Sequence, residues 1–207
     1  MKTAAWALLL IAGQAQAAGL AGLTGMRTLQ MQDIERQTLD YSCGAAALAI
    51  LLRSYFGQAV DEEDVLADLI SRLSREELAE RIKEGFSLLD LKQAAQRLGY
   101  SAEGLRLTMA EAMLLQGPVI ILLQQEKLKH FVVLKGVTQG RALLADSVRG
   151  HVRMPLFELS QQWRGETLVI GRAHFGLPSV HRLALPANDA IAPERESVRA
   201  LRSLPLN

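Results

Sequence analysis

The stretch 36–57 contains the only cysteine of the chain, Cys43, at the head of a long apolar run. Residues 44–56 are mostly strong helix formers and are apolar nearly all round, and Gly57 follows as the glycine that commonly ends a helix. Because a helix without a polar face must be buried, the run predicts a central helix that the rest of the chain covers. The thiol then lies at a helix N-terminus, where unpaired N–H groups and the helix dipole favour an anion.

Two interpretations of Cys43 follow from this position. Free cysteine is among the most buried residue types, so a structural core thiol is the ordinary alternative. Against it, the residues just before the helix are polar, and Gly44 places no side chain directly after the cysteine. These features favour an accessible thiolate nucleophile.

The composition bounds the class of protein. A chain of 207 residues with 49% hydrophobic and 22% charged residues fits one globular domain with a sizeable core. Its 23 basic and 22 acidic side chains leave a net charge of +1 without a basic cluster, which argues against a nucleic-acid partner. No apolar run is long enough to predict a membrane span in the mature chain.

The N-terminus has the pattern of a signal peptide over residues 1–17. Lys2 gives a positive start, residues 4–13 give a short apolar core, and Ala15-Gln16-Ala17 gives a small-x-small site that predicts cleavage after Ala17. An uncleaved anchor is the alternative, although the apolar core is short for a span. A lone thiol in an exported chain cannot form an internal disulfide and is a candidate reactive group.

Three further segments complete the predicted organisation. Residues 18–35 are expected to be a linker, residues 36–185 the folded domain, and residues 186–207 a flexible tail. The acidic run 61–64 lacks the ligand pattern of a calcium loop, so it predicts a solvated helix start.

The domain is predicted to be helical first and β-rich afterwards. Further helices are expected to begin at Ser74, which starts a capping box, and at Ser87, and a short helix is expected over 105–116, so that the chain is helical as far as Gln116. Apolar runs at 118–123, 130–137 and 141–146 then predict adjacent antiparallel strands. A short helix at 155–163, a strand at 166–171 and an extended segment at 172–185 follow. This order predicts an α+β fold in which the Cys43 helix packs on the sheet.

A catalytic thiol needs a base, and four histidines are available: His130, His151, His174 and His181. His130 is the preferred candidate because it opens a strongly apolar strand directly after a polar turn. Pairing of the next strand as a hairpin brings Asp146 to the same end of the sheet, where its carboxylate can hold the histidine tautomer. A half-exposed histidine with no catalytic task is the alternative.

Taken together, these residues resemble the bacteriocin-processing cysteine peptidase family, which cuts precursors after double-glycine leaders. The resemblance covers roughly residues 36–171 and rests on Gln37, Cys43-Gly44-Ala45, residues 130–134, Asp146, and the flanking Phe86-Ser87-Leu88, Gly117-Pro118, Phe157 and Trp163-Arg164-Gly165. Ser147 departs from the pattern, because the family usually has proline after this aspartate.

The resemblance implies a papain-like fold and a cysteine peptidase without metal or organic cofactor. Cys43 would attack the scissile carbonyl, His130 would act as base and then acid, and Asp146 would orient the imidazole. Gln37 would donate its side-chain amide to the oxyanion beside the backbone N–H of Cys43.

The export signal adds a further expectation. A stand-alone exported member most resembles the periplasmic peptidases of functional-amyloid secretion systems. The expected location is therefore the periplasm, and the expected partners are a precursor protein or peptide as substrate and other components of a secretion system. A leader-binding or chaperone module of the same fold that does not cut is the alternative, and a structural domain with a buried thiol is a third.

Overall fold

A computed structural model describes residues 28–125 and 128–185. The predicted signal peptide at 1–17, residues 18–27 of the predicted linker and the predicted tail at 186–207 lie outside the described residues. None of the helices in the described ranges is long and apolar enough to cross a membrane.

The helices carry the start signals that the sequence predicts. Asp61, Ser74 and Ser87 each begin a helix with a complete capping box, in which the side chain of the cap and that of the third helical residue accept each other's backbone N–H. The helices are α1 (Cys43–Ser54), α2 (Glu62–Ile70), α3 (Arg75–Glu84), α4 (Leu88–Arg97), α5 (Met109–Ala112) and α6 (Leu156–Gln162).

One antiparallel sheet of six strands forms the second half of the domain. Its strands are β1 (Ser101–Arg106), β2 (Val119–Gln125), β3 (Leu128–Thr138), β4 (Arg141–Asp146), β5 (Gly150–Pro155) and β6 (Trp163–Gly171). Their order in the sheet is β1-β6-β2-β3-β4-β5, and every neighbouring pair is antiparallel. The predicted α+β class is therefore confirmed.

The central helix α1 lies on one face of this sheet. All of its residues except Arg53 are buried, as an apolar helix requires. It shares a core with Ile120, Phe131 and Val133, whereas the alternate strand residues face a second core that includes Leu159 of α6. Because both faces of the sheet are buried, the residues of β2 and β3 that face either side are apolar, and the two strands are nearly continuous apolar runs.

The pairing of β3 with β4 decides where the candidate base and carboxylate lie. Val133 is opposite Ala145 and Leu134 is opposite Leu144 in the register. His130 and Asp146 therefore lie toward the same end of the sheet, beside the N-terminus of α1.

Two parts of the predicted secondary structure are wrong. Residues 101–106 form strand β1 and helix α5 is limited to Met109–Ala112, so the chain is not helical throughout as far as Gln116. The short strand β5 was also not predicted. Both strands lie at the sheet edges, where most of their residues are incompletely buried and a strong apolar pattern is not needed.

The segment 172–185 does not add a strand to the sheet. Arg182 N donates to Ser54 O at 3.1 Å, and Leu183 is fully buried in the core that contains α1. His181 packs edge-on against Tyr55 with 4.6 Å between ring centroids. This segment therefore covers the C-terminal end of α1.

Candidate active site

The thiol of Cys43 lies at the first residue of α1, as its sequence position predicts. Local hydrogen bonds hold the loop before the helix, since Ser42 Oγ donates to Leu39 O at 2.8 Å and accepts from Leu39 N at 3.1 Å. A Cβ atom on Gly44 would lie 3.1 Å from Leu91 and 3.2 Å from Phe131, so glycine lets the helix start approach both residues closely. Cys43 is 7% exposed and lines two separate cavities.

His130 connects the thiol to a buried carboxylate. Its Nε2 is 3.0 Å from Asp146 Oδ1, and the ring also interacts with the side chain of Cys43. Because Nε2 is engaged by Asp146, the nitrogen that serves Cys43 is Nδ1. The structure thus brings the predicted nucleophile, base and orienting carboxylate into one chain of contacts.

The electrostatic environment favours the protonated imidazole. Burial lowers the pKa of His130, but the hydrogen bond to Asp146 and the contact with Cys43 outweigh burial and raise that pKa to about 9. At neutral pH the ring is therefore an imidazolium, which can stabilise a thiolate on Cys43.

Asp146 is fully buried and accepts hydrogen bonds on both oxygens. Its Oδ1 accepts from Val148 N at 2.8 Å and Arg149 N at 3.1 Å, in addition to His130, and its Oδ2 accepts from Arg149 Nε at 2.7 Å. Burial alone would raise the pKa of Asp146, but His130, Arg149 and the backbone donor hold it well below its usual range. The carboxylate therefore stays ionised while it orients the histidine.

Gln37 lines the same cavity as Cys43 and His130, and its amide is held at both ends. Its Nε2 donates to Leu39 O at 3.0 Å, and its Oε1 accepts from Ser147 Oγ at 2.9 Å. One N–H of the amide is thus used within the loop, and the amide carries a second N–H for another acceptor.

The acidic run 61–64 is only partly the solvated helix start that the sequence predicts. Glu62 is 2% exposed, and both of its carboxylate oxygens accept from Thr38 N, at 3.0 and 2.9 Å. Glu35 in turn accepts from Glu62 N at 2.8 Å. Glu62 therefore fixes the residue after Gln37, because a buried carboxylate must be satisfied by nearby donors.

None of the other three histidines lines either of the cavities at Cys43. His151 donates from Nε2 to Gln32 O at 3.0 Å and its Nδ1 lies 3.3 Å from Lys135 Nζ, whereas His181 packs on Tyr55. Of the four histidines, His130 alone lines a cavity that reaches Cys43. Among residues 28–125 and 128–185, no group of three or more histidine, cysteine or carboxylate side chains is arranged to hold a metal ion.

Two residues of this site were not predicted as participants, Ser147 and Arg149. Both follow Asp146 in the turn between β4 and β5, and they contact Gln37 and Asp146 respectively. The spacing Asp-x-x-Arg across a tight turn was the available sequence signal, because a turn lets the arginine fold back onto the carboxylate.

The two cavities at Cys43 differ in their walls. The first, of about 410 Å³, includes Gln37 and His130, with Leu123 and Val148 as apolar parts. The second, of about 670 Å³, includes Phe86, Leu88 and Phe131, with charged residues of α3 at its margin.

Comparisons with known proteins agree with this geometry. The chain is 33% identical over 150 residues to a Pseudomonas aeruginosa protein named "Probable functional amyloid protease FapD" and 29% identical over 140 residues to the Pseudomonas fluorescens protein of the same name. These matches cover 72% and 68% of this chain, which spans 65% and 61% of the length of those two relatives.

Solved structures give the same fold. A double glycine motif protease from an AMS/PCAT transporter, in complex with its leader peptide, is 30% identical with a TM-score of 0.56, over 68% of this chain and 91% of that chain. The peptidase domain of Streptococcus ComA matches 67% of this chain and 96% of its own at a TM-score of 0.56, and at 19% identity it supports the fold alone. The Peptidase C39 family model matches residues 31–174, which is most of the chain, and the protein is therefore a member of the peptidase C39 family, as its resemblance predicts.

Proposed function

We propose that this protein is a cysteine endopeptidase that cleaves exported precursor proteins through an acyl-enzyme. The observation that carries the proposal is the chain of contacts from Cys43 through His130 to Asp146 at the start of a buried helix. The two relatives named as functional amyloid proteases support fibril precursors as the substrate class.

The first chemical step is attack of the Cys43 thiolate on the scissile carbonyl carbon. The new C–S bond forms as the carbonyl π electrons move onto oxygen. The backbone N–H of Cys43 and the side-chain amide of Gln37 are proposed to donate to this oxyanion. A donor of this kind contributes about 3 kcal/mol of transition-state stabilisation in other hydrolases.

His130 then acts as the general acid. Its imidazolium transfers a proton to the leaving amine as the C–N bond breaks, which leaves a thioester on Cys43 and a neutral imidazole. Water attacks the thioester, His130 accepts a proton from that water, and the thiolate–imidazolium pair is restored. Asp146 keeps the ring in orientation through both halves and does not itself take a proton.

The second cavity, which His130 does not line, suits the part of the substrate before the scissile bond. It is lined by Phe86, Leu88, Leu122 and Phe131, with Glu80, Arg81, Lys83 and Glu84 at its margin. An apolar floor with a charged margin suits an amphipathic leader segment. A related double glycine motif protease binds its leader peptide, which supports a leader segment as part of the substrate.

We further propose that the enzyme acts in the periplasm, with a secretion system that exports its substrate. The support is the signal-peptide pattern at residues 1–17 together with the names of the two Pseudomonas relatives.

The direct test is incubation of the purified protein with exported precursors encoded beside it, followed by sequencing of new N-termini. We expect cleavage by the wild type and none by Cys43→Ala or Cys43→Ser, with cooperative unfolding retained in both variants. Cleavage by Cys43→Ala at the wild-type rate would contradict the proposal. Precursor binding without cleavage by the wild type would instead support a non-cleaving leader-binding or chaperone module.

A further inference from the structure

The leaving-group side of the site can be assigned from His130. In the proposed peptidase reaction, on which this inference rests, the general acid must lie beside the leaving amine. His130 and Cys43 both line the cavity of about 410 Å³, whereas the second cavity includes Cys43 without His130. The substrate segment after the scissile bond therefore enters the first cavity.

That cavity borders the turn between β4 and β5. Val148 and Arg149 of this turn line it and also line a third cavity, of about 810 Å³. Val148 is 54% exposed, so it offers an apolar surface between the two cavities. A chain that leaves Cys43 past His130 can follow this surface into the third cavity.

Three arginines, Arg36, Arg149 and Arg153, line the third cavity, and no carboxylate is among its lining residues in the described ranges. His151 also lines it, and its lowered pKa favours the neutral ring. Of these arginines, Arg149 is paired with Asp146. Asp33, which lies near His151, is paired with Arg182 at 3.1 Å.

Lys135, which lies next to His151 of the third cavity, adds a further positive charge to this region. Lys135 Nζ lies 3.3 Å from His151 Nδ1, and His151 donates its other N–H to Gln32 O. Burial and the neighbouring Arg153 lower the pKa of Lys135, while burial and Lys135 lower the pKa of His151. Burial is the larger cause of both shifts, and the neighbouring positive charge acts in the same direction.

We propose that this surface binds an acidic segment of the substrate on the C-terminal side of the cut. Arg36 and Arg153 are exposed at the cavity and present guanidinium groups, which bind carboxylates with matched geometry. A cleft lined by one sign of charge also raises the local concentration of an oppositely charged ligand. The enzyme therefore selects precursors on both sides of the scissile bond.

The test uses three matched peptides that are identical up to the cut and carry acidic, amide or basic residues after it. We expect kcat/KM to be highest for the acidic peptide and lowest for the basic one. Replacing Arg36 and Arg153 together by glutamine should lower kcat/KM for the acidic peptide about 3- to 10-fold and leave the amide peptide unchanged. Higher ionic strength should reduce the acidic preference of the wild type.

Arg75→Gln is the matched control, because Arg75 is an exposed arginine at the start of α3 that lines none of the three cavities. Binding of the same peptides to Cys43→Ala protein, followed by fluorescence anisotropy, gives a readout that does not require cleavage. The Arg36→Gln and Arg153→Gln changes in that background should remove the difference between acidic and basic peptides.

The two readouts separate this inference from the proposed peptidase function. Cleavage without a charge preference in either readout overturns the acidic-segment inference and leaves the peptidase intact. If the acidic peptide binds best but the wild type cleaves none of the peptides, the proposed peptidase function is contradicted and the proposed acidic-segment surface is supported. An acidic preference that survives the double arginine replacement also overturns the inference, because the charge would then lie elsewhere.

Discussion

Ser147 Oγ donates a hydrogen bond to Gln37 Oε1 at 2.9 Å, across the boundary between the β4–β5 turn and the loop before α1. The backbone joins the same two residues, since Gln37 N donates to Ser147 O at 3.4 Å. Asp146, immediately before Ser147, orients His130. A single turn therefore holds both the carboxylate that aligns the base and the amide proposed to stabilise the oxyanion.

The first prediction is that Ser147→Ala lowers kcat about fivefold with little change in KM. Loss of one hydrogen bond costs about 1 kcal/mol, and Gln37 can then rotate away from the oxyanion. Steady-state kinetics with a cleaved precursor peptide measures the effect. Ser160→Ala is the control, because Ser160 is an exposed serine whose hydroxyl donates locally to Phe157 O at 2.7 Å. An unchanged kcat in Ser147→Ala would show that Gln37 does not depend on this contact.

The second prediction concerns Arg149, which acts on catalysis through Asp146. Replacing Arg149 by methionine removes the donor 2.7 Å from Asp146 Oδ2, so the pKa of Asp146 should rise. The depressed pKa keeps Asp146 ionised; the ionised carboxylate contributes stability at pH values above the ordinary pKa of aspartate, and this stability is lost as the pH falls through the depressed pKa. Because Arg149→Met raises that pKa, protonation of Asp146 and the acid limb of the kcat profile should both move to higher pH. Arg149→Lys should partly restore the limb. An identical acid limb in wild type and Arg149→Met would contradict the positioning role.

Local sequence signals were sufficient to predict the helix that carries the nucleophile and several of the elements around it. The start of α1 at Cys43, the caps at Asp61, Ser74 and Ser87, and strand β4 each depend on a pattern within a few neighbouring residues. The meeting of His130 and Asp146 could be predicted because consecutive strands joined by a short turn form a hairpin.

The parts that could not be predicted depend on distant contacts. Strand β1, which contains Glu103 and Gly104, has few strand-forming residues and exists because β6 pairs with it far along the chain. Glu62 resembles its exposed neighbours in sequence, and only the approach of Thr38 makes it a buried acceptor. Ser147 likewise acquires its role from a residue in a separate segment.

The third prediction concerns pH and His130. Its pKa is raised from 6.5 to about 9, so the stability it contributes is complete below about pH 6.5 and is lost as the pH rises through about 9. The free energy of unfolding of the wild type relative to His130→Gln should fall by at most about 3 kcal/mol across that range. Urea unfolding at a series of pH values measures this difference. A difference that grows with pH would show that the imidazolium is not the stabilised form.

The fourth prediction is that Glu62→Gln lowers both the free energy of unfolding and kcat. Both Glu62 oxygens accept from Thr38 N, and an amide in the same place retains one acceptor and buries a new donor group. We expect a loss of about 1–3 kcal/mol in the free energy of unfolding, together with looser placement of Gln37. Glu63→Gln is the matched control, since Glu63 is its exposed neighbour on α2. Equal stabilities of the two variants would contradict a structural role for Glu62.

The last prediction concerns the residue just before the scissile bond. Cys43 is 7% exposed, and the helix start is tightly packed, because a Cβ on Gly44 would already lie 3.1 Å from Leu91. A branched side chain next to the attacked carbonyl would clash in this narrow approach and move the carbonyl away from the thiol and the oxyanion donors. Replacing glycine by valine at that substrate position should lower kcat/KM by about 10²-fold or more. Peptides that differ only there provide the test, and an alanine peptide should fall between the two. Equal cleavage of glycine and valine peptides would show that the approach to Cys43 is wide, and that the enzyme selects its substrates through segments farther from the cut.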